Sequence, residues 1–168
     1  MAQPLAKPHF RRIVTKHDSR GKAAIWIDAN ATNHKFPNKK ISSTLMWSTD
    51  GSPTLILSDE DAGDRILGSA PPPCGSRFTM MEFQPGNEAT LHRTDTVDYV
   101  ICLSGEIDMF WMTRSLSRCE LGRSSFSGAQ TTPVRTAAIS RAAWLLFCWT
   151  RCPSERGPSL VLLARGRW

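Results

Sequence analysis

The chain has 168 residues, 40% of them apolar, and carries 21 Lys and Arg against 15 Asp and Glu, a net charge of +6. This size and composition fit one folded domain and exclude a disordered chain, and no apolar run is long enough to cross a bilayer. The N-terminus lacks the apolar core of a signal peptide, and five irregularly spaced cysteines form no disulfide framework, so we expect a cytoplasmic protein with free thiols.

The positive charge is confined to the C-terminal third. Residues 1–109 hold 12 Lys and Arg against 13 Asp and Glu, whereas residues 110–168 hold nine Arg against two Glu, with no Lys, Asp, His or Tyr. A nucleic-acid-binding surface would combine a designed basic patch with stacking aromatic side chains. We therefore expect no specific nucleic acid partner and no membrane partner.

Short strand patterns separated by turn residues occupy the first half of the chain. Strands are predicted at residues 10–15, 23–27 and 44–47, and a polar loop is predicted over 28–42. Residues 58–76 form a second loop with an acidic run. That run lacks the Gly and the terminal Glu of an EF-hand, so we interpret it as a solvated loop.

The second half contains the clearest alternation. RFTMMEF (residues 77–83), TVDYVICL (96–103) and residues 107–111 predict three further strands, and the apolar run 142–149 is short enough for a core strand. No convincing amphipathic helix is present. Short strands joined by Gly and Pro turns favour an all-β barrel or sandwich.

The stretch from Gly86 to Gly105, GNEATLHRTDTVDYVICLSG, places chemically useful side chains at a defined spacing. His92 follows Gly86 by six residues, Asp98 follows His92 by six, and Gly105 comes seven residues later. This spacing resembles the first motif of the cupin superfamily: Gly, five residues, His-x-His, three or four residues, Glu, six residues, Gly. The resemblance covers residues 9–110 and implies an all-β, cupin-type double-stranded β-barrel (jelly roll) with a central pocket.

The resemblance also implies a metal site, because imidazoles and a carboxylate suit Fe, Mn, Ni or Zn. His92 matches the first ligand, and Asp98 matches the carboxylate, one methylene shorter than Glu. Thr94 stands at the second His position, and no histidine follows His92 to supply the fourth ligand. His92 and Asp98 would hold a metal, or act as a base and its orienting carboxylate. Alternatively, His92 is an ordinary barrel-mouth histidine and Asp98 pairs with Arg93 or caps a turn.

After Phe110 the sequence becomes rich in Arg, Ser, Ala and Thr without a clear period. If the last base of each codon is read with the first two bases of the next, residues 110–113 are forced to Leu-Asp-Asp and residues 147–150 to Leu-Leu-Asp. Residues 122–133 become compatible with a strand, a Gly turn and Asn-His, which resembles the second cupin motif. We interpret the tail as an out-of-frame segment that begins near Phe110. The rival interpretation is a genuine divergent C-terminus.

These features divide the chain into three parts. Residues 1–40 form an N-terminal arm with the first strands, residues 41–110 form the cupin barrel core, and residues 111–168 form an anomalous Arg/Ser-rich tail. The barrel is expected to be incomplete or irregular after residue 110.

The segments RRIVTKHDSRGKA, LMWSTDGSP and HRTDTVDYVICLSGEIDMF resemble short, stand-alone cupin-2 proteins, some of which are oxidoreductases or decarboxylases of aromatic polyketide pathways. The resemblance implies a metal-dependent oxidoreductase or decarboxylase that acts on a small, aromatic or polyketide-type metabolite in its barrel, and a homodimer. Fold does not fix function, so two alternatives stay open: a non-catalytic small-molecule-binding cupin, and an inactive frameshifted copy. No catalytic residue is assigned.

Overall fold

The computed structural model describes residues 5–55, 58–87, 96–110, 116–120, 124–127, 134–135 and 143–150. These residues form eleven β-strands and no helix, which confirms the prediction of an all-β chain. Over the same residues, no helix has the length and hydropathy needed to cross a bilayer. The division of the chain into three parts stays a prediction.

The strands follow one another with short connections over most of the chain. In order, they are β1 (Arg11–His17), β2 (Ala23–Asn30), β3 (His34–Asn38), β4 (Ile41–Thr49), β5 (Ser76–Phe83), β6 (Val97–Ser104), β7 (Glu106–Phe110), β8 (Leu116–Glu120), β9 (Ser124–Ser127), β10 (Val134–Arg135) and β11 (Ala143–Thr150). β5 and β6 agree with the predicted strands to within one residue at each end.

The prediction of a polar loop over residues 28–42 is wrong at the centre of that range. Residues 28–42 contain β3, which pairs with β4 through His34 opposite Thr44 and Lys35 opposite Ser43. His34 is half-buried, and its Nδ1 lies 2.8 Å from Thr44 Oγ1. Tertiary pairing overrides the weak strand signal of a segment that contains Pro and Asn.

Apart from a separate β1–β2 hairpin, the strands form two antiparallel sheets. Six strands lie in the order β3-β4-β5-β11-β6-β9, and three lie in the order β10-β7-β8. From β6 the chain passes to the smaller sheet for β7 and β8, returns for β9, crosses again for β10 and returns for β11. This alternation between two antiparallel sheets is the connectivity of a jelly roll, so the predicted fold class is confirmed.

The strand β11 lies in the middle of the larger sheet. Its eight residues pair with β5 from Ala143 opposite Phe83 to Thr150 opposite Ser76, and on the other edge it pairs with β6. The prediction of a strand near residues 142–149 is confirmed. The described strands beyond Phe110 therefore continue both sheets, although β9 and β10 have only four and two residues. The origin of this segment in a shifted reading frame stays a hypothesis.

The most deeply buried apolar side chains lie on β6 and β7, where the chain passes from the larger sheet to the smaller one. Ile107 on β7 and both Val100 and Cys102 on β6 are almost fully enclosed, with Phe83 on β5 and Leu45 on β4 also buried. Each buried apolar side chain of this size contributes about 1.5–3 kcal/mol by leaving water. Together these residues fix which face of the larger sheet points inward.

The hairpin of β1 and β2 forms a separate two-stranded sheet. It contacts β4 through Trp26, whose ring meets that of Trp47 edge to face with centroids 6.3 Å apart. Lys16 Nζ lies 4.7 Å from the centre of the Trp26 ring. Such aromatic pairs contribute about 0.5–1.5 kcal/mol beyond area burial.

The acidic loop is held against this hairpin, although the side chains of Asp59, Glu60 and Asp64 stay largely exposed, as expected of a solvated loop. Ala62 is buried, and its carbonyl accepts a hydrogen bond of 2.7 Å from Ser48 Oγ on β4. Each carboxylate of the acidic run also has a partner. The pairs are Asp59 with Lys16, Glu60 with Arg65, Asp61 with Arg12 and Asp64 with Thr32.

Candidate functional site

Asp98, the predicted carboxylate ligand, is the second residue of β6 and is half-buried. Along this strand Val100 and Cys102 are about 1% exposed, whereas Tyr99 and Leu103 are 46% and 41% exposed. Because side chains alternate between the two faces of a strand, Asp98 shares the inward face with Val100 and Cys102. His92 and Thr94 lie outside the described residues, so their roles stay predictions.

A neighbouring hydroxyl fixes the Asp98 carboxylate. Thr96, which is buried, donates from Oγ1 to Asp98 Oδ1 at 2.7 Å. Hydrogen bonds to a charged acceptor are roughly twice as strong as neutral ones. Thr96 therefore orients the carboxylate on the inward face. The motif does not reveal Thr96, because its spacing refers only to the ligands.

The strand register brings a buried cation to the same face. Trp149 of β11 is opposite Arg77 of β5 on one side and opposite Asp98 on the other. At the usual spacing between strands, the Arg77 and Asp98 backbones are roughly 10 Å apart. Sequence reasoning missed Arg77 as a site residue, although the alternation in RFTMMEF places it on the same face as Phe83.

Arg77 is turned toward the end of the sheet. Its Nη1 donates to the carbonyl oxygens of Thr49 at 3.1 Å and Ser76 at 2.9 Å, and lies 3.6 Å from Asp50 Oδ1. Burial lowers the pKa of Arg77 below its ordinary value, and the nearby Asp50 acts in the opposite direction. The buried guanidinium is thus only partly compensated by a carboxylate.

The described residues do not by themselves form a metal centre. Within them, no three His, Cys, Asp or Glu side chains lie close enough together to hold an ion. A transition-metal site normally has at least three protein ligands. Asp98 is the one predicted ligand that the structure describes, and we assign no reaction step to a metal.

A larger cleft lies on the other side of the sheet. Its volume is about 870 Å³, and it is bounded by the β1–β2 hairpin, by β4 and by parts of residues 50–55 and 58–65. Trp26, Trp47 and Phe78 supply aromatic walls. Trp47 and Phe78 pair across β4 and β5 on the face opposite to Arg77 and Asp98. Neither Arg77 nor Asp98 lines the cleft.

Comparisons with known proteins reveal relatives in fungi. The chain is 30% identical over 110 residues to the "Cupin-domain-containing oxidoreductase srdD" of Neurospora crassa, covering 61% of this chain and 55% of that protein. It is 29% identical over 107 residues to the "Phomopsin biosynthesis cluster protein D" of Diaporthe leptostromiformis, covering 58% of this chain and 55% of that protein. The chain thus spans about half the length of these relatives. No known family profile matches it.

Solved structures with similarity to the chain have low sequence identity. Ectoine synthase from P. lautus is 11% identical, with a TM-score of 0.48, over 72% of this chain and 71% of that one. A cupin described as RmlC-like from Shewanella frigidimarina is 10% identical, with a TM-score of 0.43, over 73% and 86% of the two chains.

Proposed function

The chain belongs to the cupin superfamily, and we propose that it acts on a small metabolite inside its jelly roll as a metal-dependent oxidoreductase or decarboxylase. The observation that carries this proposal is the position of Asp98. It stands at the carboxylate position of the motif, on the inward face of β6, and Thr96 holds it in one orientation. An inward carboxylate in this setting is suited to bind a cation or to orient a base.

The relatives support a role in secondary metabolism. One carries the name of an oxidoreductase and the other the name of a biosynthesis cluster. The narrower substrate class that we propose, an aromatic or polyketide-type metabolite, rests on the sequence resemblance to cupin-2 proteins alone. Fe, Mn, Ni and Zn are the candidate metals, with His92 and Asp98 as the proposed ligands.

The decisive experiment is to measure metal binding by the purified chain and by Asp98→Asn. After anaerobic incubation with Fe²⁺ or with Mn²⁺, Ni²⁺ or Zn²⁺, we expect about one ion per wild-type chain. Loss of the carboxylate should weaken binding by at least ~100-fold, more than the ~10–100-fold typical of a changed outer-shell residue. Asp59→Asn is the matched control, because Asp59 is highly exposed and bonds only to Lys16 among the described partners.

Thr96→Val tests whether Thr96 positions the carboxylate. The change removes the 2.7 Å hydrogen bond to Asp98 but keeps the shape of the side chain. We expect metal affinity to fall by about 10–100-fold, with the ion still bound at saturation. A Thr96→Ser variant should recover most of the affinity. Unchanged affinity in Thr96→Val would contradict a positioning role.

The second candidate is a non-catalytic small-molecule-binding cupin. It is favoured by Thr94, which stands at the second His position of the motif. If the wild-type chain binds none of the four metals, this candidate replaces the enzyme. A homodimer remains part of the proposal, and light scattering of the purified chain would test it.

A further inference from the structure

A second, smaller cavity lies beneath residues 67–69 on the inward face of β4 and β5. Its volume is about 60 Å³. One water molecule needs roughly 10–15 Å³ of such space, so the cavity has room for a group of about four heavy atoms. Arg77 and Thr79 of β5 line it, together with Lys35 of β3.

Two of the lining side chains carry a buried polar atom without a partner. Arg77 is 4% exposed and Thr79 is 7% exposed. Arg77 Nε and Thr79 Oγ1 have no hydrogen-bond partner among the described residues. A buried donor without a partner is destabilising, because it has lost its hydrogen bonds to water. Two such atoms beside one cavity indicate that an acceptor belongs there.

The charges around the cavity favour an anion over a neutral acceptor. Lys35 and Arg77 are both cationic, and none of the residues that line the cavity carries a carboxylate. Lys35 Nζ donates to the Leu67 carbonyl, which compensates no charge. The nearest described carboxylate to Arg77, Asp50, is shared with Arg65, whose Nη1 it contacts at 2.5 Å. The positive charge near the cavity is therefore not fully compensated by the described carboxylates.

We propose that this cavity is a binding site for a small carboxylate or similar planar oxyanion, of the size of formate, acetate or bicarbonate. Arg77 Nε and Thr79 Oγ1 donate hydrogen bonds to it, and Lys35 and Arg77 supply the compensating charge. A planar oxyanion suits a guanidinium, whose N–H groups lie in one plane. The site is independent of the metal proposed near Asp98.

The test compares formate with gluconate, which is too large for the cavity, at constant ionic strength and without chloride. The readout is the midpoint of thermal unfolding of the full chain. A ligand at 100 times its Kd stabilises by mass action, which for a chain of this size corresponds to roughly 5–10 °C. We expect a saturable rise of that order with formate and no saturable rise with gluconate.

Three variants test whether the stabilisation by formate arises in this cavity. Thr79→Val should weaken the apparent affinity for formate about tenfold, since it removes one donor to a charged acceptor. Arg77→Met should abolish the effect, whereas Thr15→Val, an exposed threonine on β1, should keep it. An equal rise of the unfolding midpoint in gluconate would show that the salts act only by screening charges. No rise in either salt would show that the cavity holds water. Either result, or an unchanged response in both cavity variants, would overturn the proposal.

Discussion

Replacing Arg12 with Ala is expected to lower the free energy of unfolding by about 2–4 kcal/mol, whereas the same change at Arg11 should have a much smaller effect. Both arginines are on β1, and both form a two-pronged pair with one aspartate: Arg12 with Asp61, and Arg11 with Asp28. They differ in burial. The Arg12 side chain is 8% exposed and that of Arg11 is 66% exposed.

The difference in burial decides the outcome because water solvates the aspartate that loses its arginine to a different extent in the two variants. In Arg11→Ala, water solvates the freed Asp28. In Arg12→Ala, Asp61 keeps its charge in a half-buried place, and the loop loses its connection to β1. Urea unfolding of the three proteins measures the effect. Equal losses for the two variants would contradict the conclusion that burial, and not pairing as such, gives Arg12 its importance.

The same pair predicts a loss of stability in acid. Hydrogen bonds from Arg12 hold the pKa of Asp61 below its ordinary value, although burial acts in the opposite direction. Since the unfolded pKa is about 3.9, this stabilisation is fully present above that pH and is lost as the pH falls through the lower folded-state pKa. Urea unfolding between pH 2 and 6 should show a shallower acid slope in Asp61→Asn than in the wild type. A slope unchanged by the substitution would refute this assignment.

Gly63→Ala is expected to destabilise the chain by about 1–3 kcal/mol, the usual cost of overpacking. A Cβ at this position would lie 2.2 Å from Arg12 Nη1 and 2.6 Å from the Met46 carbonyl oxygen. The arginine can shift only by weakening its pair with Asp61, and the carbonyl belongs to the backbone of β4. Denaturant or thermal unfolding gives the magnitude.

Gly68→Ala is the matched control, because it lies in the same loop with nothing within 4 Å of its added Cβ. It should be neutral or slightly stabilising, as reduced freedom of the unfolded chain favours Ala over Gly. Gly63→Ala and Arg12→Ala should not be additive in a double variant, since one of the two clashes disappears with the arginine. Strict additivity would show that the Arg12 contact is not the cause.

The strands were predictable where one face is buried and the other is exposed. β6 follows this rule closely, and its alternation also places Asp98 on the inward face. β3 was missed because His34 to Asn38 contains Pro and Asn and owes its extended form to pairing with β4. Periodicity reports burial along one segment and contains no information about a partner strand.

The attachment of the acidic loop to the rest of the chain was not predictable, for a related reason. Its local composition is that of a solvated segment, but its cationic partners, Arg12 and Lys16, lie on β1, more than forty residues earlier. The site was predictable only in part as well. The motif spacing identified Asp98, whereas Thr96 and Arg77 depend on a hydrogen bond and on a strand register that spacing does not reveal.

The central place of β11 has a consequence for how the chain folds. During synthesis, β5 and β6 emerge long before Ala143–Thr150, the strand that separates them, so their adjoining edges stay unpaired until that strand has been synthesised. Contacts so distant in sequence raise the contact order and slow folding. Exposed strand edges also invite pairing with other chains. Dependence on chaperones during translation, and aggregation of products that end before residue 143, are the expected results.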